Sequence, residues 1–167
     1  MAKRYLLLCL SFVAAFAAAD ARDAVFGLWG AKDSILNVAE TDGVLHARIV
    51  AILDPLYKPG EDGPAGAVRV DSHNPNPDLR SRPIVGIDLL DGYQFKDGKW
   101  QGQLYDPESG KTYKSQISVN SDGKLQLRGY VGSPMFGRTV VYEPVASCTG
   151  AIPKMLAIAK IDKPTCG

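Results

Sequence analysis

The sequence is poor in the side chains that most often build catalytic and metal centres. It has 2 histidines, 3 cysteines and 2 tryptophans among 167 residues. Two histidines, His46 and His73, are too few for a multi-histidine metal centre, and no Cys-x-x-Cys pair typical of redox enzymes is present. A phosphate loop, a dinucleotide fingerprint and a nucleophile elbow are also missing. The sequence therefore predicts no catalytic residue, no metal site and no cofactor, and it favours a non-enzymatic role.

The sequence also lacks an apolar run long enough to cross a membrane. The longest run, Tyr5 to Ala18, has 14 residues, whereas a spanning helix needs about 20. It follows Lys3 and Arg4 and leads into small residues, which is the pattern of a cleaved export signal. We therefore predict that residues 1–21 are a signal peptide and that the protein is periplasmic or secreted. The alternative is an uncleaved membrane anchor.

No large excess of charge is present either. The full chain has a formal charge of +1, with 19 basic and 18 acidic side chains. Removing residues 1–19 takes away Lys3 and Arg4 but no acid, so the balance stays close to zero. Such a balance gives no indication of nucleic acid or of an anionic membrane surface as a partner.

Two cysteines, Cys148 and Cys166, remain after the signal peptide, which contains Cys9. In an oxidising compartment an isolated pair more often forms a disulfide than a reactive site. We predict that this bond staples a tail, residues 144–167, to itself.

Short alternating segments separated by turn signals occupy most of residues 22–167, which we predict to form a single domain. Val44 to Leu53 shows the period of two that is typical of a strand with one buried face. The pattern predicts an all-β, antiparallel, up-and-down barrel of about eight or nine strands, and a short C-terminal helix at Pro153 to Ile161. Strands are expected near residues 24–30, 35–39, 44–53, 84–90, 93–95, 99–105, 111–119, 124–131 and 137–142, with intervening turns at 41–43, 91–92, 97–98, 106–110 and 120–123.

A long irregular stretch interrupts this pattern at residues 54–83, which hold six prolines and three glycines. Connections of this length in a compact domain are usually functional or disordered. The loop is thus a candidate lid or binding element, with a plain surface connection as the alternative.

Gly27-x-Trp29 near the mature start and Gly137-Arg138 on the final strand resemble the calycin barrels, among them lipocalins. The resemblance implies that Trp29 lies under Arg138 and closes one end of the barrel, which joins apolar burial to a cation–π contact. The implied role of both residues is structural.

A second resemblance covers nearly the whole mature chain and is to an exported bacterial family called domain of unknown function 2147. It implies a calycin or lipocalin-like barrel, and it transfers no catalytic residue because the family has no assigned activity. Tyr142 stands where a tryptophan is expected, and the cysteine-bearing tail extends past the common core. The matching segments are Gly27-x-Trp29, Asn74-Pro75, Leu79-Arg80-x-Arg82-Pro83 before Gly86, Trp100-x-Gly102, Tyr105-Asp106-Pro107, Gly110-Lys111-Thr112-Tyr113, Leu125-x-Leu127-x-Gly129-Tyr130 and Gly137-Arg138-Thr139.

The loop from Asp71 to Arg80 gathers carboxylates, amides, an imidazole and a guanidinium within ten residues. Its oxygen groups suit a hard cation, but the spacing is not that of an EF-hand, and Asn-Pro and Asp commonly cap turns. We expect turn capping there, and internal ion pairs of Arg80 and Arg82 with Asp78 and Asp88. The alternative for these arginines is binding of a carboxylate or phosphate. The residues predicted to contact a ligand are His73, Asn74, Arg80, Arg82, Tyr105, Asp106, Tyr113 and Tyr130.

The favoured hypothesis from the sequence is a barrel that binds a small apolar or amphipathic molecule inside or at its mouth. This step rests on fold analogy. One alternative is a structural or interaction protein of the cell envelope with a solid barrel, which an apolar patch around Leu56, Tyr57 and Leu79 would support. The second alternative is an enzyme that uses His73 with Asp71 and Arg80. The sequence identifies no protein partner.

Overall fold

Eight antiparallel strands form a sheet that curls into a nearly closed barrel. A computed structural model describes residues 21–162, and neither the predicted signal peptide through residue 20 nor Cys166 falls within them. Around the barrel the order is β3-β2-β1-β8-β7-β6-β5-β4, so that strands consecutive in the chain are neighbours in the sheet, except β3 and β4 at its two edges, and β1 also pairs with β8. The predicted up-and-down barrel is confirmed. The strands are β1 (Gly27–Gly30), β2 (Ser34–Thr41), β3 (Val44–Ile52), β4 (Leu90–Lys96), β5 (Lys99–Asp106), β6 (Lys111–Val119), β7 (Leu125–Tyr130) and β8 (Arg138–Pro144).

The tight hairpin turns follow the local sequence closely. Asp42-Gly43 and Asp97-Gly98 both have two successive residues with positive φ, between 52° and 79°, which is the conformation of a type I′ turn. In the longer turn after β6, the Asn120 side-chain oxygen accepts hydrogen bonds from the backbone N–H groups of Asp122 and Lys124. The predicted turn chemistry is therefore present in the fold.

The seam between β3 and β4 is irregular, which corrects the prediction of a strand at residues 84–90. A turn closed by the Ile87 N–H to Ile84 O bond interrupts that segment, and Gly86 within it has φ of 106°. Three backbone bonds join it to β3: Ile49 N–H to Ile87 O at 2.9 Å, Gly86 N–H to Ile49 O at 2.8 Å and Leu89 N–H to Ala47 O at 2.9 Å. Asp88 supports the seam, since its carboxylate accepts from the Ala47 N–H and contacts His46 Nδ1.

The short strand predicted at residues 93–95 is part of β4. Because no separate strand forms at residues 84–89, the barrel has eight strands and not nine. The predicted turn at Asp91-Gly92 is a bulge within β4, where the pairing with β5 shifts between Asp91 and Gln94. Gly92 has φ of 61° there. A bulge admits an extra residue without ending the strand, so a turn signal in the sequence does not separate two strands here.

Apolar side chains fill the barrel interior in one continuous cluster. Trp100 and Ile117, opposite each other on β5 and β6, are almost fully buried. The side chains that share the cluster are Val25, Trp29, Leu36, Val38, Leu45, Ala47, Ile49, Ile87, Leu89, Leu90, Tyr93, Trp100, Ile117, Leu125, Leu127 and Tyr142. An eight-stranded barrel is just wide enough to be packed or to hold one small ligand, and this barrel is packed.

The predicted C-terminal helix is present as α1 (Ile152–Ala159) and covers the outside of the barrel. Met155 and Leu156 are fully buried against Ile35 and Ala51 of β2 and β3, whereas Ile158 remains exposed. The helix packs so closely on β1 that a Cβ atom at Gly30 would lie 2.5 Å from the Ile152 side chain. A second, smaller apolar core thus lies outside the barrel wall.

The up-and-down order places the β1–β2 turn, residues 53–89, the β5–β6 turn and the β7–β8 connection at one end of the barrel. We call this end the mouth. In the part of the chain that the structure describes, no helix has both the length and the apolar character needed to cross a membrane.

Candidate functional site

An open cleft of about 570 Å³ lies at the mouth, and we call it the mouth cleft. It is formed where the β1–β2 turn, the end of β3, the long loop and the β5–β6 turn meet. Its apolar lining comes from β3, the long loop and the β5–β6 turn: Ile49, Ile52, Leu53, Tyr57, Val70, Ile84 and Pro107. Its polar lining is Asp33, Ser34, Asp54, Glu61, Asp62, Arg69, Ser72, His73, Asp106 and Glu108.

The first half of the long loop folds back on itself around Tyr57. The Tyr57 N–H donates to Ala67 O at 2.9 Å, and Tyr57 O accepts from the Gly66 N–H at 2.8 Å. Arg69 stacks over the Tyr57 ring at 5.1 Å, and a Cβ atom at Gly63 would lie only 2.3 Å from that ring. This half of the loop is therefore an ordered wall of the mouth cleft.

The second half of the loop is held to the barrel by the fully buried carboxylate of Asp71. Asp71 Oδ2 accepts from Arg82 Nε at 2.9 Å and from Asn74 Nδ2 at 2.7 Å, and Oδ1 accepts from the Tyr105 hydroxyl at 2.6 Å. Arg80 joins the group through its Nε, which donates to Asn74 O. Because Tyr105 lies on β5, these bonds tie the loop to the barrel wall.

Burial, together with the hydrogen bond to the Asp71 carboxylate and the negative charge of that group, raises the pKa of Tyr105 to about 12. The phenol is thus neutral at physiological pH and acts as a hydrogen-bond donor to Asp71. Arg82 also lies over the Tyr105 ring at 5.6 Å. Of the residues predicted to contact a ligand, Asn74, Arg80, Arg82 and Tyr105 form one network whose polar groups bond to each other. Arg82 forms an internal ion pair, but its partner is Asp71 and not the predicted Asp78 or Asp88.

His73 and Asp106 are the two residues from the predicted set that line the mouth cleft. Asp106 shapes the β5–β6 turn, since its carboxylate accepts from the Glu108 N–H at 3.1 Å and from the Ser109 hydroxyl at 2.6 Å. That turn touches the loop, because a Cβ atom at Gly110 would lie 1.9 Å from His73 O. The turn and the loop therefore meet beside the cleft.

Tyr113 and Tyr130 lie on β6 and β7, outside the mouth cleft lining. The Tyr113 hydroxyl is 3.4 Å from Ser109 Oγ, and Tyr130 pairs with Lys114. Of the group proposed for an enzyme, His73 lines the cleft, whereas Asp71 and Arg80 are bonded within the loop network. Within residues 21–162, no three His, Cys, Asp or Glu side chains are placed to hold a metal ion.

The mouth cleft is acidic. Six carboxylates line it, against the single guanidinium of Arg69. The Lys58 ammonium, 2.9 Å from Asp54, lowers the pKa of that carboxyl, and hydrogen bonds from Arg69 lower the pKa of Glu61. The six acids come from segments far apart in the sequence, between residues 33 and 108, so no local motif indicates that they share one cleft.

The expected contact between Trp29 and Arg138 is wrong. Trp29 pairs with Pro144 at one end of β8, and Arg138 pairs with Gly129 at the other. Six residues of extended strand place their backbones roughly 20 Å apart, which is beyond the reach of an arginine side chain. Trp29 is instead held by its indole N–H, which donates to Val25 O at 2.8 Å.

A different Arg–Trp pair closes the end of the barrel that lies opposite the mouth. Arg22 lies over the Trp100 ring at 4.6 Å, and the Trp100 indole N–H donates to Arg22 O at 2.9 Å. Cys148 is partly buried, with φ of 51°, just after a short 3-10 turn. Its link to Cys166 stays a prediction.

The fold is similar to that of a solved structure described as "Protein HP1028 from the human pathogen Helicobacter pylori belongs to the lipocalin family". The TM-score is 0.59 at 20% sequence identity, and the match covers 83% of this chain and 90% of that one. The expected calycin or lipocalin-like architecture is thus confirmed. Among curated proteins, none matches the chain.

A family model described as "Uncharacterized protein conserved in bacteria (DUF2147)" matches residues 27–143, which run from the start of β1 nearly to the end of β8. The match spans the whole barrel and the mouth cleft and leaves out α1. The chain therefore belongs to the DUF2147 family of uncharacterized bacterial proteins.

Proposed function

We propose that the protein is exported to the periplasm or secreted, and that it binds a small amphipathic molecule in the mouth cleft. The observation that carries this proposal is an open cleft of about 570 Å³ with an apolar floor, built on a packed and rigid barrel. Ligand pockets typically have volumes of about 300–1,000 Å³ and combine an apolar lining with a few polar groups.

The filled interior leaves no room for a ligand within the barrel, which supports a site at the mouth. Ile49 and Ile84 belong to the interior cluster or pack against it, and both also line the cleft. The floor of the cleft is thus the top of the barrel core, and the bonds around Asp71 hold its wall in place. A site of this kind is largely formed before the ligand arrives, which limits the entropy lost on binding.

A matched pair of tryptophan substitutions in the loop tests the site. Ser72 is exposed and lines the cleft, whereas Ser81 is exposed and lies outside its lining. With the neutral probe N-phenyl-1-naphthylamine, we expect Ser72→Trp to weaken binding at least tenfold and Ser81→Trp to leave it unchanged. Native mass spectrometry of protein purified from its own cell envelope should show a bound small molecule. Absence of both signals would overturn the proposal.

Export is tested separately, by fractionation and N-terminal sequencing. We expect the mature chain to begin near Asp20 or Arg22. An intact Met1 in a cytoplasmic fraction would contradict this part of the proposal and leave the cleft unaffected.

The packed interior also favours a second candidate function, a structural or interaction protein of the cell envelope. Leu56 and Leu79 of the long loop are 46% and 37% exposed, but Tyr57, the third residue of the predicted apolar patch, is buried. Crosslinking in intact cells followed by affinity purification distinguishes the two candidates. A partner crosslinked through Leu56 or Leu79 supports this candidate, whereas a Ser72→Trp effect on small-molecule binding supports the first.

A further inference from the structure

The mouth cleft offers a ligand two chemically different regions. Its floor is aliphatic, with Ile49, Ile52 and Ile84 contributed by β3 and the end of the loop. Its rim carries the six carboxylates of Asp33, Asp54, Glu61, Asp62, Asp106 and Glu108. A molecule that fills the cleft would place an apolar body on the floor and its polar end beside these acids.

The one cationic side chain that lines the cleft is already bonded. Arg69 Nη2 donates to both carboxylate oxygens of Glu61, at 2.6 and 2.8 Å, and its Nε donates to Asp54 O at 2.7 Å. Its guanidinium also lies over the Tyr57 ring. An anionic ligand would have to break these bonds before it could pair with Arg69, and it would meet the remaining carboxylates.

Several of the rim acids, by contrast, keep their charge available. The carboxylates of Asp62 and Glu108 form no ion pair or hydrogen bond in the described chain, and Asp33 accepts only from the neighbouring Ser34 hydroxyl. All three side chains belong to exposed residues. Their charge therefore faces a ligand and the solvent.

The charge of the cleft contrasts with that of the chain as a whole, which is near neutral. Clefts lined by charge of one sign, with apolar walls beneath, concentrate the electrostatic field and raise the local concentration of an oppositely charged ligand. The negative charge is thus concentrated at the opening through which a ligand enters.

We propose that the mouth cleft selects a ligand with a cationic head group, an organic ammonium or guanidinium, on an apolar body. This rests on the proposed function, because it assigns the charge of the molecule that the same cleft binds. The aliphatic floor takes the body, and Asp33, Asp62 and Glu108 attract the head.

Three probes that share a naphthylmethyl group and differ in charge test this inference. They are the ammonium 1-naphthylmethylamine, the neutral alcohol 1-naphthylmethanol and the carboxylate 1-naphthaleneacetate. By isothermal titration calorimetry at low salt, we expect the ammonium to bind about tenfold more tightly than the alcohol, and the carboxylate more weakly than both. The preference for the ammonium should shrink as salt is added, because the rim acids are exposed and screened.

A pair of charge-neutralising variants locates the effect. Asp62→Asn with Glu108→Gln should reduce the affinity for the ammonium about fivefold or more and leave the alcohol unchanged. Asp42→Asn with Asp122→Asn removes the same charge from turns at the opposite end of the barrel, and should change neither affinity by more than about twofold.

The outcomes separate this inference from the proposed function. If the alcohol binds as tightly as the ammonium, or if the rim variant keeps the full preference, the inference is overturned and the cleft stands as a ligand site. If none of the three probes binds, the proposed function falls, and the inference falls with it.

Discussion

Arg82 and Asp71 form an ion pair in which two guanidinium nitrogens lie close to the same carboxylate oxygen. Arg82 Nε donates to Asp71 Oδ2 at 2.9 Å and Nη2 lies 2.8 Å from that oxygen, and the Asp71 side chain is fully buried while Arg82 is partly exposed. Removing one partner of a buried pair leaves the other uncompensated, which typically costs 3–5 kcal/mol. The ion pair thus joins two parts of the long loop, and the Tyr105 hydroxyl connects the same carboxylate to β5.

We expect Asp71→Ala to lower the free energy of unfolding by about 3 kcal/mol, measured by urea denaturation. Arg82→Ala should also be destabilising, and the double variant should lose clearly less than the sum, because the two side chains interact directly. Glu143→Ala, which breaks the exposed pair with Lys124, serves as the control and should have little effect. Additive losses for Asp71 and Arg82 would contradict a coupled pair.

Two glycines with nearly the same backbone conformation should respond very differently to alanine. Gly110 has φ of 68° and Gly123 has φ of 73°, so both substitutions carry the strain of a left-handed residue, about 1–2 kcal/mol. At Gly110 the new Cβ would also lie 1.9 Å from His73 O, whereas Gly123 faces open space. We expect Gly110→Ala to be the more destabilising by about 2 kcal/mol, and to increase hydrogen exchange in residues 71–83. Equal losses would show that the turn does not support the loop.

Tyr142 predicts a loss of stability in alkali. Burial raises the pKa of Tyr142 from 10.0 to about 12, so the folded state keeps the phenol protonated after the unfolded chain has begun to ionise. The contribution of the protonated Tyr142 to the free energy of unfolding is fully present below pH 10 and is lost as the pH rises to 12. A shift of two units corresponds to about 3 kcal/mol.

Tyr142→Phe should therefore show a shallower decline in unfolding free energy between pH 10 and 12 than the wild type does. At pH 7 the variant should be slightly less stable, since it loses the hydrogen bond between the Tyr142 hydroxyl and the Ser34 side chain. The control is Tyr113→Phe, which alters a phenol near the exposed Ser109. Parallel pH profiles for wild type and Tyr142→Phe would contradict the prediction.

The predicted disulfide between Cys148 and Cys166 has a direct test. In oxidised protein the intact mass should be two hydrogens lighter than in the reduced form, and reduction should lower the unfolding free energy by about 3 kcal/mol for a loop of this length. The Cys148→Ser and Cys166→Ser double variant should match the reduced protein and should not respond to reductant. Free thiols detected in freshly purified, unreduced protein would refute the link.

Sequence alone predicts the barrel because the signals for its strands and turns are local. Asp42-Gly43 and Asp97-Gly98 need no distant partner to form a turn, and the alternation in β3 sets which face is buried. The segment at residues 84–89 is different. Its course depends on bonds to β3 across more than thirty residues, and its apolar pattern alone cannot show that a turn interrupts it.

The same distinction applies to the candidate site. His73 and Asp106 were found because the proline-rich loop and the turn after β5 stand out in the sequence. Asp33, Glu61 and Arg69 were missed, since only the folded chain places them around one cleft. The resemblance implies that Arg138 covers Trp29 and closes the barrel. In the structure, Arg22 covers Trp100 instead.

The packed barrel interior has a consequence for the kinetics of exchange. A ligand seated on top of a filled core cannot be enclosed by the strands, so it keeps contact with solvent and can leave without any opening of the sheet. Residence times would then depend on the ligand's own contacts with the floor and rim and not on a slow conformational step. The proposed site is therefore suited to rapid exchange of a small molecule and not to storing it.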